Sequence, residues 1–515
     1  MDLGTIFERA VIRDPGAPAV VDGGMRRTYG EWYDDIRHIA GGLGTRGIGP
    51  GDHVVLVLSN RFEMATLYWA CQMLCATFTP FNWRAGADEI AHVLEDAEAR
   101  AVVFEDRSRG AVLAASAKAG IAADALYDLD DGHAFETLLS SSPVNGPIGV
   151  DGGAACLMLY TSGTTGRPKG VPRSHAAEHA ASSHCVAQLG YGYRSAALGV
   201  MPLFHTMGIR ALSMAMLMNG KFVCMPSFDA EAALTLIERE RIEALFLVPT
   251  MFHDMLRHDR LDDFDLSSVH DIGYAGMSMT SALTSRCAEV LKPRNFVNYY
   301  GSSEIYTFAF RDHVTDKPGC AGRAGMGQEL RIVTADADGN AGPIDLVAPG
   351  EIGEIIAPMA GMEAFTGYWK RPDADAKAIR GGWYFTGDLG QLDDDGELFI
   401  VGRVDDMIIS GGENIHPEEV EDVLDASPLV GQAAVIGRPD DRLGAKVVAF
   451  VEPASAETSA RALDEACLAS GLARFKRPRE YVFVERIPRS ASGKLLRRFL
   501  REGNYVALSG YDLTL

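Results

Sequence analysis

The chain has 515 residues, 47% of them hydrophobic, and a formal net charge of −22 at pH 7. That length allows about three domains, and the apolar share supports a large core. So acidic a chain is not built for nonspecific nucleic-acid binding, and no uninterrupted apolar run reaches bilayer-spanning length.

The eight cysteines are scattered, with no CxxC pair and no Cys/His cluster at metal spacing. Cys71 and Cys75 sit one helical turn apart in an apolar segment and read as buried free thiols, which fits a reducing compartment. Residues 1–9 lack the basic and apolar regions of a secretory signal, so the expected location is cytoplasmic.

In chain order, the apolar run 54–58 predicts a buried strand, 62–76 a helix, 78–81 a short extended segment, 88–97 an amphipathic helix and 101–104 another strand. The Ala-rich stretch 111–125 reads as ordinary helix surface. A strand over 156–159 runs into Tyr160-Thr161-Ser162-Gly163-Thr164-Thr165-Gly166-Arg167-Pro168-Lys169. Glycines let a backbone come close to a ligand, free N–H groups and hydroxyls form an anion nest, and Lys169 adds positive charge. The chemistry suits a polyphosphate cradle, although a polar surface loop has the same composition. It is not a P-loop, because Lys169 follows Pro168 and no Ser or Thr follows it.

The strand–helix rhythm continues with strands at 221–225, 244–248, 271–275 and 295–299 and helices at 230–241 and 280–291. Short apolar strands between helices imply parallel, doubly wound sheets, with ligands at the carboxyl ends of the strands. The loops after Tyr160, Phe204, Tyr274 and Tyr300 fall there. Tyr299-Tyr300-Gly301-Ser302-Ser303-Glu304 sets a carboxylate beside hydroxyls, which suits a hard cation such as Mg²⁺, although any strand-to-loop turn can look like this. After about Gly322, frequent Gly and Pro with strands at 329–333 and 353–357 read as a small antiparallel subdomain. Asp388 follows a Thr-Gly turn, where it can bind vicinal hydroxyls or cap an Asx turn.

Beyond Arg403 an α+β pattern has strands at 406–409, 433–436, 447–451 and 481–484 and helices at 417–426 and 460–470. Over 471–502, ten Lys/Arg face three acids, an excess of seven positive charges. Such a run serves an anionic small ligand or is a solvated face with internal ion pairs. Lys494 closes Pro488-Arg-Ser-Ala-Ser-Gly-Lys494 on a loop made flexible by glycine, where a lysine is usually exposed.

The segment 160–169 resembles the phosphate loop of the adenylate-forming superfamily: acyl-CoA synthetases, luciferases and peptide-synthetase adenylation domains. Five motifs in that family's order cover essentially the whole chain, and 402–421 resembles the hinge and first hairpin of the acyl-CoA synthetases, aryl-CoA ligases of the 4-chlorobenzoate type above all. The resemblance implies an α/β fold. A large N-terminal domain, 1–404, would hold doubly wound sheets and a small antiparallel β subdomain. A mobile, small α+β C-terminal domain, 405–515, would carry the hinge at Asp405, the catalytic lysine and the CoA contacts. It also implies ATP, Mg²⁺ and coenzyme A. The activity implied is activation of a carboxylic acid as acyl-AMP with pyrophosphate release, then transfer to CoA.

By the same resemblance, Thr161, Ser162, Gly163, Thr164, Thr165, Gly166 and Lys169 hold phosphates and Glu304 holds Mg²⁺. Tyr300 stacks on adenine in the turn with Gly301 and Ser302, and Ala275, Gly276 and Met277 line it. Asp388 and Arg403 take the ribose or phosphate, and Lys494 bridges the carboxylate and the α-phosphate. Gly411 and Gly412 give pantetheine a close path, and Phe475, Arg477 and Arg479 meet the CoA nucleotide. Leu443 stands where the aryl ligases carry a tryptophan, a departure at part of that nucleotide contact. The acyl pocket would be lined by Ser183, His184, His205, Thr206, Met207, Gly276, Met277, Tyr299 and Ile305, with His205 as an aromatic gate.

Tyr299 and the methionines favour a small ring acid: benzoate-, chlorobenzoate- or furoate-like. The alternatives are short- or medium-chain, alicyclic or dicarboxylic acids, or a stand-alone adenylation enzyme for a carrier protein. No carrier domain follows within the chain, and Phe204-His205 lacks the acid that grips an amino group. Retention of Lys169, Glu304, Asp388, Arg403 and Lys494 speaks against a non-catalytic descendant. Arg210 is expected to cap or pack outside the pocket, since arginine mostly stays at surfaces; the other reading pairs it with a second carboxylate. The partner expected is a small carboxylic acid, with no nucleic acid and no membrane; a homodimer is one option for assembly.

Overall fold

A computed structural model describes all residues except 132, 163–166, 337–338, 412, 456, 490–494 and 514–515. The chain divides into two units, Met1–Glu329 with Pro358–Gly382, and Leu330–Ala357 with Trp383–Leu515.

In the first unit one sheet has six strands in the order Leu126–Asp128, Ala101–Phe104, His53–Val57, Thr77–Pro80, Ala155–Ser162, Pro168–Ser174. Neighbours are parallel except the last pair, an antiparallel hairpin. Val54 to Val57 are fully buried, as a strand covered on both faces must be. The helix expected over 62–76 is Phe62–Leu74, because Cys75 takes a left-handed cap at φ 54. The helix expected over 111–125 is part of Asp106–Ala119 and stops short, capped by Gly120 at φ 68.

The second sheet of this unit has nine strands. Its parallel middle runs Asn295–Tyr300, Asp271–Ala275, Ala244–Leu247, Ala196–Gly199, Lys221–Cys224, Pro18–Asp22, and antiparallel strands flank it at both edges. Helices Ala230–Glu240 and Ser281–Leu291 cross between these strands, opened by the side-chain caps of Asp229 and Thr280. One apolar cluster gathers Trp32, Trp69 and Phe78, and another gathers Phe246, Tyr274 and Tyr299. All eight cysteines are buried, and no disulfide joins them.

In the second unit the antiparallel strands Arg331–Val333, Gly353–Pro358, Trp383–Leu392 and Leu398–Arg403 adjoin in that order. A further sheet runs Glu413–Ile415, Ile408–Ser410, Gly444–Pro453, Val430–Asp440, with Glu480–Phe483 parallel to Gly444–Pro453. The apolar sides of Pro417–Asp425 and Ala460–Ala469 pack on it through Val420, Leu424 and Leu463. The expected strands 433–436 and 447–451 are the apolar centre of a long hairpin whose polar ends carry no hydrophobic signal. The strand expected from 406 begins at Ile408, because Val404–Asp406 forms a 3₁₀ turn. Among the described residues no helix is long and apolar enough to cross a membrane.

Candidate functional site

The hairpin of the six-stranded sheet carries the sequence's first motif. Thr161 pairs with Lys169 and Ser162 with Pro168, so the outgoing strand runs past its apolar part. Gly163, Thr164, Thr165 and Gly166 lie outside the described residues. Lys169 Nζ stands 4.1 Å from the Tyr368 ring centroid, a cation–π contact. Tyr368 Oη donates to Glu304 Oε1 at 2.7 Å. A lysine, a phenol and a carboxylate from three distant segments therefore meet. Glu304 is only 7% exposed. Burial lowers the Lys169 pKa, and the Glu304 charge opposes that shift.

The loop after Tyr300 is built to present Glu304. Ser302 Oγ accepts from the Glu304 and Ile305 amides at 3.2 and 3.3 Å, and Ser302 N donates to the Ile305 carbonyl at 2.9 Å. A Cβ on Gly301 would lie 1.8 Å from the Tyr306 carbonyl oxygen, so the turn closes only on glycine. The Tyr300 ring packs on Phe308, with centroids 5.1 Å apart.

Arg173 fixes the back of this loop. It is fully buried, and its Nε donates to Glu178 Oε1 at 2.8 Å. Its Nη1 donates to the carbonyl oxygens of Glu304 at 2.8 Å and Glu363 at 2.6 Å. The Glu363 carboxylate takes His184 Nδ1 at 2.8 Å and the Thr307 amide at 2.9 Å. Arg173, Glu363 and Tyr368 are missing from the sequence-based site. The signals were a charge inside the apolar return strand 168–174 and the aromatic pair Tyr368-Trp369 after a glycine.

The residues expected around the acyl group sit close by in the same unit. Ser183 and His184 lie on the helix His175–Leu189, which Ser174 caps. His205 is the N-cap of Thr206–Leu217, its Nδ1 accepting from the Met207 amide at 3.4 Å, and Thr206 is buried. Met207 and Tyr299 belong to one apolar cluster, and Ile305 is fully buried. Ala275 and Met277 are half-buried around Gly276, whose φ of 90 a side-chain-bearing residue rarely adopts. Arg210 does not lie at the surface as expected. It is 4% exposed, with its guanidinium 5.0 Å from the Tyr306 ring centroid and 5.8 Å from that of Tyr299. Its place in the first turns of an entirely inward-facing helix carries it inside.

In the second unit Asp388 lies opposite Arg403 across the strand pair, with Arg403 Nη1 2.5 Å from Asp388 Oδ1. Thr386 Oγ1 accepts from the Asp388 amide at 3.0 Å and donates to the Ile355 carbonyl at 2.8 Å. Asp405 sits in the 3₁₀ turn that follows. Gly411 donates its amide to the Leu443 carbonyl at 2.8 Å, so Leu443 adjoins Gly411. Gly412 and Lys494 lie outside the described residues.

Phe475 is 41% exposed, and Arg474 and Arg479 are exposed beside it. Arg477 is instead bound to Asp464 at 2.5 Å, and Lys476 to Glu419. Arg497 pairs with Asp406, Glu418 and Glu421, and Arg501 with Asp406. Much of the positive excess over 471–502 is thus neutralised by acids from other elements, as the ion-pair reading has it.

Comparison with known proteins bears on what this arrangement does. The profile of the AMP-binding enzyme family matches residues 7–369, and that of the AMP-binding enzyme C-terminal domain matches 419–494. A feruloyl-CoA synthase of an Amycolatopsis species is 35% identical over 506 residues, 97% of this chain and 98% of the relative. A 4-chlorobenzoate–CoA ligase of an Arthrobacter species is 33% identical, over 95% of this chain and 93% of the relative. The crystal structure of ATP-bound MatB from Rhodopseudomonas palustris superposes with a TM-score of 0.87 at 27% identity, covering 98% of this chain and 99% of that one.

Proposed function

Because the chain belongs to the AMP-binding enzyme family, we propose that it is an AMP-forming acid–CoA ligase acting on a small aromatic carboxylate. The observation that carries this reading is the meeting of Lys169, Tyr368 and Glu304 at the phosphate hairpin. In the first step a carboxylate oxygen attacks the α-phosphorus of ATP, and the bond to pyrophosphate breaks with its electron pair on the leaving group. No proton moves, so the task is to hold two anions together rather than to supply a base. In the second step the CoA sulfur attacks the acyl carbon, AMP leaves, and the thiol proton is released.

Thr161, Ser162 and residues 163–166 offer donors to the polyphosphate, and Lys169 offers a charge that burial leaves poorly hydrated. Glu304 fits Mg²⁺: it is a hard oxygen donor held in place by Tyr368, and such an ion takes one or two carboxylates together with substrate phosphates. Bound there, Mg²⁺ neutralises charge on the phosphates. Tyr300 and 275–277 hold adenine, and Asp388, braced by Arg403, holds the ribose. Phe475 and Arg479 are the exposed groups for the CoA nucleotide, while Arg477 acts through its bond to Asp464. The working domains are 1–404 and 405–515, pivoting at Asp405. Two aryl-acid relatives support a ring substrate, and eight buried cysteines with no disulfide among them support a cytoplasmic setting.

Purified protein should release pyrophosphate from ATP only with Mg²⁺ and an organic acid, and then make AMP and a CoA thioester; EDTA stops both. A screen over aromatic, alicyclic, fatty and dicarboxylic acids reads this out. Formation of ADP and phosphate would refute the ligase reading, and a need for a carrier protein would replace CoA as acceptor. A higher kcat/KM for dodecanoate than for any ring acid would refute the ring substrate alone.

Tyr368→Phe deletes the hydroxyl that orients Glu304 while keeping the ring under Lys169. A hydrogen bond to a charged group contributes about 1.5–3 kcal/mol, so the Mg²⁺ concentration for half-maximal pyrophosphate release should rise about tenfold or more, with Tm close to wild type. An unchanged Mg²⁺ dependence would separate Tyr368 from the metal site.

A further inference from the structure

Two buried arginines lie within reach of the Tyr306 ring, and they differ in how their charge is met. Arg173 has the Glu178 carboxylate at 2.8 Å. Arg210 has no carboxylate oxygen within ion-pair distance among the described residues, and its Nε has no hydrogen-bond partner. Glu363 is the acid whose charge it feels, but both oxygens of that carboxylate are already taken, by His184 and by the Thr307 amide. Burial works against its charged form, but an arginine keeps its proton even so. Two aromatic faces hold a cation in place but do not neutralise it. A buried charge of this kind is ordinarily paired.

The location matters as much as the charge. Arg210 is in the helix capped by His205, and it faces Tyr299 at the carboxyl end of Asn295–Tyr300. Tyr299 Oη in turn donates to the carbonyl of Cys185, next to Ser183 and His184. These are residues that the family resemblance assigns to the acyl group, so a buried guanidinium without a carboxylate partner stands among them.

We propose that Arg210 is the specificity-determining residue of the acyl site and that the preferred acid carries a second carboxylate, which Arg210 receives. This rests on the acid–CoA ligase reading but not on its ring substrate: the acid is a dicarboxylic one, short or ring-borne. One carboxylate attacks phosphorus; the other meets the guanidinium fork, whose paired donors match its two oxygens. A hydroxyl or methoxyl group accepts one hydrogen bond and leaves the charge unmatched; a methyl group leaves both unmet.

The test compares matched pairs in pyrophosphate release with the full-length protein: terephthalate against 4-methylbenzoate, and succinate against butyrate. In at least one pair the wild type should favour the diacid in kcat/KM by about a hundredfold or more, the scale at which buried polar groups reject an analogue that cannot pair with them. Arg210→Met should erase or invert that preference, with kcat/KM for the diacid falling far more than for its methyl or alkyl partner, and Arg210→Lys should keep part of it. If the wild type favours the uncharged partner in both pairs, or if Arg210→Met lowers both partners equally, the proposal falls. Should Arg210→Met fail to fold, the wild-type ratios decide alone. Absence of pyrophosphate with every acid would instead refute the ligase reading, which the broad screen tests separately.

Discussion

Lys494→Ala lowers the rate of acyl-adenylate formation by about a hundredfold or more, the usual loss when one preorganised charge-stabilising contact is removed. CoA attack on supplied acyl-adenylate should stay close to the wild-type rate. The asymmetry follows from charge. The first step joins a carboxylate to a phosphate, and a cation bridging the two lowers the barrier; in the second step a sulfur attacks a carbonyl whose leaving group is already activated. On either side of the segment that holds Lys494, Arg489 is bridged to Leu495, and the Leu496 amide donates to the Pro488 carbonyl at 2.9 Å. Asp405→Pro should give the opposite split, because a fixed φ in the 3₁₀ turn restrains the proposed pivot. Thioester formation slows and adenylation survives. Single-turnover kinetics of each half-reaction decide the matter. Equal losses in both steps for both variants would mean that one static arrangement performs all the chemistry.

The sheets were legible because each buried strand is a short apolar run between helices. Residues 54–57, 101–104 and 271–275 appear in the structure within a residue or so of where the pattern puts them. Strand ends were not legible: Gly431-Gln432 and Gly437-Arg438-Pro439-Asp440 carry no apolar side chain but proline's, and their pairing comes from the facing strand rather than from their own hydrophobicity. The site was legible where a motif packs its chemistry into a few consecutive residues, as at 160–169 and 299–304. It was not legible where groups meet across the fold. Tyr368 reaches Glu304 over 64 positions, and Arg173 reaches the same loop over 131. Counting charges along 471–502 hid the acids of 406, 418–421 and 464 that neutralise them. Surface preference misplaced Arg210, because a rule about the average arginine says nothing about one set in a helix that is buried on nearly every side.

Arg173→Leu should be the most destabilising single change in the first unit. It strands the Glu178 carboxylate in the core, and breaking a buried pair from one side costs about 3–5 kcal/mol. The urea midpoint falls accordingly, and pyrophosphate release falls with it. The double variant Arg173→Leu/Glu178→Leu separates the two roles of the arginine. With both charges gone, much of the stability should return, since apolar replacement of a buried pair is often nearly neutral. Activity should not return. The Glu304 and Glu363 carbonyls still lack the Nη1 donor that ties their segments together, and Glu304 is the carboxylate that Tyr368 orients toward the phosphate hairpin. Urea denaturation and pyrophosphate release on the same three proteins check this. If the double variant recovers activity together with stability, Arg173 serves the fold alone, and the positioning of Glu304 must come from Ser302 and Tyr368 instead.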